Sequence, residues 1–268
     1  MSSYEALILS ASEQRSEGWN TLRLRRFTSS KFELLLKAPK DKKEAAQNEG
    51  FGATAVSYIM EKAMEVYSGV CRDADIGDMY YIRKGRVLEA QGIRFYSLRE
   101  NDDTVETTGF YVFGENAGGS PDFKSRKVGI GELKCPSKTV HDKYVMKINS
   151  FDDLKKVEPQ YYWQLQVNMF VTGVPFGVFL SFDPTHFPED VYREIDYESF
   201  AAEAAIEYGT ESQKKLALHV VTGEMSPEVP EVFESTIERA VRLRDRFVNQ
   251  LIEKKGCPDH LKDWKGSK

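Results

Sequence analysis

The sequence predicts an α/β protein, a central mixed β-sheet flanked by helices, and three observations lead there. Residues 128–134 alternate, with glycines between apolar residues, and 174–183 form a strongly apolar run, both of strand length. Between them, Glu158-Pro159 opens a stretch reaching Phe170 that keeps helical spacing, with a proline where a helix start tolerates one. Strand, helix and strand describe a crossover within one sheet, with helices packed on its faces. Amphipathic patterns at 52–67, 78–98 and 230–255 supply those helices.

Taken in order, residues 13–36 read as a short helix over 19–25 and a second from about Ser30. Ser30-x-x-Glu33 fits a capping box, and the free N–H groups of such a helix start suit phosphate. Thr28, Ser30 and Arg23 would then supply hydroxyls and a guanidinium; equally, the hydroxyls only cap the helix and Arg23 is a surface charge. Residues 37–49, with four lysines and Pro39, read as an exposed loop or frayed helix end. Val56, Ile59, Met60, Ala63, Met64 and Tyr67 mark a core-facing helix, and 69–77 a loop. In the helix over 78–98, Gly85 precedes Glu89 by one turn and would allow close approach of another element. A strand over 107–113, a turn over 114–119 and a hairpin through Ser120-Pro121 and Lys124-Ser125-Arg126 lead to the Glu132 strand. A mixed connection follows over 137–156, whose His141 and lysines either border a binding channel or simply form a charged loop. Beyond it come a strand over 191–197, amphipathic helices over 198–221 and 230–255, and a poorly ordered tail after Gly256. The expected organisation is one domain over 1–268: N-terminal helices 13–36, a core of about 78–197 and C-terminal helices 198–255.

Composition bounds the function classes. With 268 residues, 41% hydrophobic and 29% charged, the chain can bury a full core. Its formal net charge of -5 is no global signature of nucleic-acid binding, although a local basic groove is compatible with it. Cys71, Cys135 and Cys257 are too far apart for a disulfide framework or a CxxC site, and the four histidines form no close pair for zinc. No apolar run spans a bilayer and no signal-peptide core precedes the chain, so a cytoplasmic protein is expected.

The chemistry concentrates around Asp122, Glu132 and Lys134. On a strand, residues two apart share a face, so Glu132 and Lys134 point the same way, and a hairpin can bring Asp122 beside them. Ile130, Leu133, Cys135 and Pro136 mark the strand as buried, where unpaired charge is costly and a hard divalent cation gives the acids a reason.

Ser120-Pro121-Asp122 followed by Glu132-Leu133-Lys134-Cys135-Pro136 resembles the PD-(D/E)XK nuclease core, specifically the phage lambda exonuclease and YqaJ-type viral recombinase family. Trp19-x-x-x-Arg23 with Thr28-x-Ser30 is similar to that family's N-terminal phosphate-holding motif, and Arg25-Arg26 adds charge beside it. Glu89 resembles the family's helical acid, and Gln164 the first glutamine of its Tyr-x-x-Gln-x-Gln helix. The resemblance spans roughly 19–184. It implies a restriction-endonuclease-like core and a magnesium-dependent exonuclease acting 5′ to 3′ on double-stranded DNA ends, for recombination by single-strand annealing. One or two Mg2+ ions, with Mn2+ as substitute, would bind Asp122, Glu132, Glu89 and the Leu133 backbone carbonyl. Lys134 and Gln164 would complete the catalytic set, and Arg23, Thr28 and Ser30 would hold the DNA 5′-phosphate. A homotrimer and a single-strand annealing partner are implied, in the host cytoplasm if the gene is a phage's. The competing readings are an endonuclease on the same fold and a non-catalytic DNA-end-binding protein.

Overall fold

A computed structural model describes residues 17–71, 80–189, 191 and 201–266. The chain opens with helix α1 (Glu17–Arg23), strand β1 (Phe27–Thr28), a 3₁₀ turn over Ser29–Lys31 and helix α2 (Phe32–Leu35). Helices α3 (Lys42–Gln47), α4 (Ala53–Ser68) and α5 (Tyr80–Arg99) follow. Next come strands β2 (Glu106–Thr107), β3 (Tyr111–Phe113), β4 (Ala117–Gly119), β5 (Phe123–Ser125) and β6 (Gly129–Lys134). Helices α6 (Lys138–Lys147), α7 (Phe151–Val157) and α8 (Pro159–Thr172) cross over to β7 (Phe176–Phe182). Helices α9 (Ala202–Tyr208) and α10 (Glu211–Ala217), strand β8 (Leu218–Glu224) and helix α11 (Val229–Lys255) complete the order.

The main sheet runs β2-β5-β6-β7-β8 and is mixed: β6 and β7 are parallel, the other pairs antiparallel. Glu132 lies opposite Phe179 and Lys134 opposite Ser181. Strand alternation divides the core between the two faces. Ile130, Phe179 and Val221 pack with Tyr162, Leu165 and Met169 of α8 and Phe233 of α11. Leu133, Val178, Leu180 and Phe182 pack with Leu88, Phe95 and Tyr96 of α5 and Ala205 of α9. Burial of each such side chain contributes about 1.5–3 kcal/mol, so the ladder is pinned in one register. Glu132 and Lys134 consequently share the α8 face with Ile130. A smaller sheet, β1-β4-β3, sets β1 parallel to β4 with Thr28 opposite Gly118.

Several expectations are corrected. Residues 218–221 form part of a strand, not the end of a helix: β8 pairs antiparallel with β7 along its whole length, Phe176 opposite Glu224 through Phe182 opposite Leu218. Val220, Val221 and Thr222 favour the pleat, and the open β7 edge captures them. The C-terminal segment 198–255 thus contains a sheet strand as well as helices. The strand expected over 191–197 lies, apart from Val191, outside the described residues. Ala117–Gly119 is a strand where a turn was expected, and 137–156 carries two helices, α6 and α7. Within 37–49, α3 forms, capped by Asp41 accepting from Glu44 N. The tail is packed: Leu261 is buried, and His260 Nε2 donates to Val66 O at 3.1 Å. A Cβ on Gly85 would meet nothing within 4 Å, so no close approach of a described residue explains that glycine. Among the described residues, no helix is long and apolar enough to cross a membrane.

Candidate active site

The centre is built on β6, a strand bonded on both sides. Asp122, at the start of β5, grips it twice: its N–H donates to Gly131 O at 3.0 Å, and its Oδ2 accepts from Leu133 N at 2.7 Å. These two bonds bracket Glu132. The Glu132 side chain is fully buried, its Oε1 accepting from Lys134 Nζ and from Gln164 Nε2, its Oε2 from Asn168 Nδ2 at 3.3 Å. Lys134 Nζ also lies 5.1 Å from the Tyr161 ring centroid, and Tyr161 stacks on Phe179. Leu133 turns its side chain to the opposite face, against Phe182 and α5.

Electrostatics bind the set together. Burial, then the charge of Asp122, push Glu132 up to about 8 against the pull of Lys134, and Glu89 adds to the rise. Burial works against the Lys134 ammonium, but Glu132 and Asp122 outweigh it and hold its pKa above the usual lysine range. Glu89, half-buried on α5, also acts with burial to raise the Cys135 thiol at the end of β6. Three acids and one ammonium therefore feel one another. The donor chemistry, all carboxylate oxygen around a buried acid, fits a hard divalent cation. Among the described residues, no group of three His, Cys, Asp or Glu side chains is placed to hold a metal ion as the chain stands.

Asn168 escaped the sequence reading. It stands four residues after Gln164 on α8, and that helical spacing was the available signal. Asn168 is fully buried, and its Oδ1 finds no hydrogen-bond donor among the described residues. That oxygen faces β4: a Cβ on Gly119 would lie 2.3 Å from it and 3.1 Å from Ser29 Oγ. Only glycine lets β4 approach so closely.

Thr28 and the turn carrying Ser30 lie beside the same β4, with Arg23 near Phe110. Thr28 pairs with Gly118, and Trp19 Nε1 donates to Ser120 Oγ at 3.3 Å, two residues before Asp122. The Arg23 guanidinium stacks 4.1 Å from the Trp19 ring. Thr28 Oγ1 and Ser30 Oγ are 3.3 Å apart, and Gln160 of α8 reaches Ser30 O at 3.5 Å. The capping box is absent: Ser30 sits inside the 3₁₀ turn, no side chain caps α2, and Glu33 pairs with Lys37 instead. A four-residue α2 offers no helix-end dipole of consequence, so the hydroxyls themselves are the feature. His141 borders no channel; it is fully buried between Ser181 Oγ (2.8 Å) and Leu216 O (2.7 Å).

A mixed sheet carrying an acid and a lysine on one central strand and a second acid at the head of the neighbouring strand, backed by a glutamine helix, defines a nuclease-type α/β fold. Two solved structures share it. An alkaline exonuclease from Laribacter hongkongensis, also solved in complex with dAMP, matches at 18% identity, covering 89% of this chain and 97% of its own, with TM-score 0.64. A phage related exonuclease from Haemophilus somnus 129PT matches at 19% identity, covering 88% and 98%, with TM-score 0.57. No curated protein matches the chain. The model of the YqaJ-like viral recombinase domain matches residues 18–175, and the chain belongs to that family.

Proposed function

We propose that the chain is a metal-dependent exonuclease that resects linear double-stranded DNA from 5′ to 3′, leaving single strands for annealing. One observation carries this reading: Glu132 is a fully buried carboxylate whose oxygens are held by Lys134, Gln164 and Asn168 while Asp122 and Glu89 repel it. Clustered buried acids are unfavourable unless a cation shares them. Asp122, Glu132 and Glu89, with the Leu133 carbonyl, would hold one or two Mg2+ ions, or Mn2+ in their place. Such an ion, when bound, would supply polarisation of the scissile phosphate and a more acidic attacking water.

The chain's own groups do the rest. Lys134 keeps its ammonium beside Glu132, from where it orients that water and offsets charge building on the phosphate. Gln164 and Asn168 hold the Glu132 carboxylate in one orientation from a helix backbone. Arg23, Thr28 and Ser30 hold the terminal 5′-phosphate, and the Trp19–Ser120 bond ties them to the strand entering Asp122. Likeness to two exonucleases supports the reaction class, and the dAMP complex of one of them supports a nucleoside monophosphate product. A homotrimer around the duplex, a single-strand annealing partner and residence in the host cytoplasm rest on the family resemblance.

The test compares linear 5′-phosphorylated, linear 5′-hydroxyl and circular duplexes with magnesium, for wild type and Glu132→Ala. Wild type should degrade the phosphorylated linear duplex fastest and spare the circle. The variant should lose activity on the order of 10²- to 10³-fold while keeping its circular dichroism. Equal slow decay of all three substrates, unchanged in the variant, ends the exonuclease reading.

A further inference from the structure

We infer that two buried ion pairs, one on α4 and one on α11, clamp the backbone at Arg25 and so set how tightly a 5′-phosphate is gripped. The inference rests on the phosphate-holding role proposed for Arg23, Thr28 and Ser30. Arg25 is the turn between the two parts of that motif, and its φ of 63° is left-handed, a region a long side chain seldom occupies. Both polar groups of its backbone are taken by buried charges from distant helices. Its N–H donates to Glu65 Oε2 at 2.8 Å, and its carbonyl accepts from Arg244 NH1 at 3.3 Å.

Each clamping residue is itself secured. Glu65 and Lys62 are fully buried, with Lys62 Nζ 3.0 Å from both carboxylate oxygens. Arg244, also buried, pairs with Asp245 at 2.8 Å and donates from the same NH1 to Asn116 Oδ1 at 2.9 Å. Asn116 O in turn accepts from Phe27 N at 2.8 Å, so the clamp also registers β1 against the approach to β4. A third contact lies on the same stripe of α4. Tyr58 OH accepts from Thr28 N at 3.0 Å, and positions 58, 62 and 65 fall on one helix face beneath residues 25–28.

A buried ion pair is no better for stability than apolar packing, so two pairs converging on one residue's backbone call for another role. That role is geometric. The left-handed turn decides where the Trp19-stacked guanidinium stands relative to the Thr28 and Ser30 hydroxyls. Without the clamp, Arg25 relaxes toward commoner backbone angles, the gripping arrangement is populated less, and apparent affinity falls by that fraction. Helix α11 lies beyond the residues matched by the family model, so this support comes from outside the matched region.

Arg244→Lys tests it in the full chain. Lysine keeps a cation opposite Asp245 but lacks the planar fork that reaches two oxygens at once. With magnesium, KM for the 5′-phosphorylated duplex should rise on the order of tenfold, with kcat and turnover of the 5′-hydroxyl duplex unchanged. In an Arg25→Gly background the same substitution should change KM much less, because glycine adopts the left-handed turn unaided. If wild type prefers the phosphate and Arg244→Lys keeps that preference and KM, the clamp is wrong and the phosphate reading stands. If wild type treats both ends alike, the phosphate reading fails and the clamp falls with it. Should Arg244→Lys lose its fold, Lys62→Met with Glu65→Leu removes the other ion pair and its hold on the Arg25 N–H, and an unchanged KM there overturns the inference.

Discussion

Glu132 and Lys134 ride on a strand hydrogen-bonded to neighbours on both sides, whereas Thr28 and Ser30 sit on a two-residue strand and a single 3₁₀ turn. Main-chain ladders hold the first pair, so their direction follows from the pleat alone. The second pair has little main-chain support, and side chains from α4, α8 and α11 supply what is missing. The difference teaches where sensitivity lies. The acid centre depends on a few groups that touch Glu132, while the N-terminal motif depends on residues distant from it along the chain.

The sharpest way to break the comparison is to strike where the regions join. Gly119→Ala puts a methyl group against Asn168 Oδ1 and Ser29 Oγ, one contact belonging to each region. It should destabilise the protein by about 1–3 kcal/mol, seen in the denaturant midpoint, and slow cleavage of 5′-phosphate and 5′-hydroxyl ends together. Unchanged stability and rate would show that β4 does not couple the two.

Asn168→Leu acts from the acid-centre side of that junction. It removes one hydrogen bond to Glu132 and also a buried oxygen without a described donor, so stability should hold or rise. Turnover should fall roughly tenfold on both kinds of end, with their ratio constant. A changed ratio would mean that Asn168 serves the phosphate motif instead.

The smallest effect is a pH dependence of the scaffold beside Lys134. Burial lowers the pKa of His141 below 6.5 while Asp183 and Asp142 oppose that and His186 adds to it. His219, also half-withdrawn from water, is lowered by burial too. A depressed folded-state value means that the unfolded chain takes up the proton first as pH falls. Their contribution is therefore complete above about 6.5 and declines below it. Tm should drop from pH 7 to 5, and His141→Asn should flatten that limb; an unaltered slope would remove His141 as its source.

Much of the acid centre was legible in the chain. The alternation Ile130, Glu132, Lys134 placed two candidate side chains on one face, and the apolar neighbours marked the strand as buried. Asn168 was less so, because a buried asparagine on an apolar helix carries no meaning until its partner is seen. The misread segments share a cause: 218–224 and 117–119 are strands because an open edge accepted them, and Ser30 is no cap because β1 pairs with β4.

By itself, then, the sequence determined what repeats locally: the mixed sheet with helices on its faces, the strand bearing Glu132 and Lys134, and the helix that backs it. Side-chain period and turn chemistry act over a few residues, so they can be read in a line. Only the tertiary structure decided that Glu65, 40 residues away, and Arg244, 219 residues away, hold the two sides of the Arg25 peptide backbone. Such a contact leaves no periodic trace, because it exists only after separate helices have packed and two charges must find partners out of water.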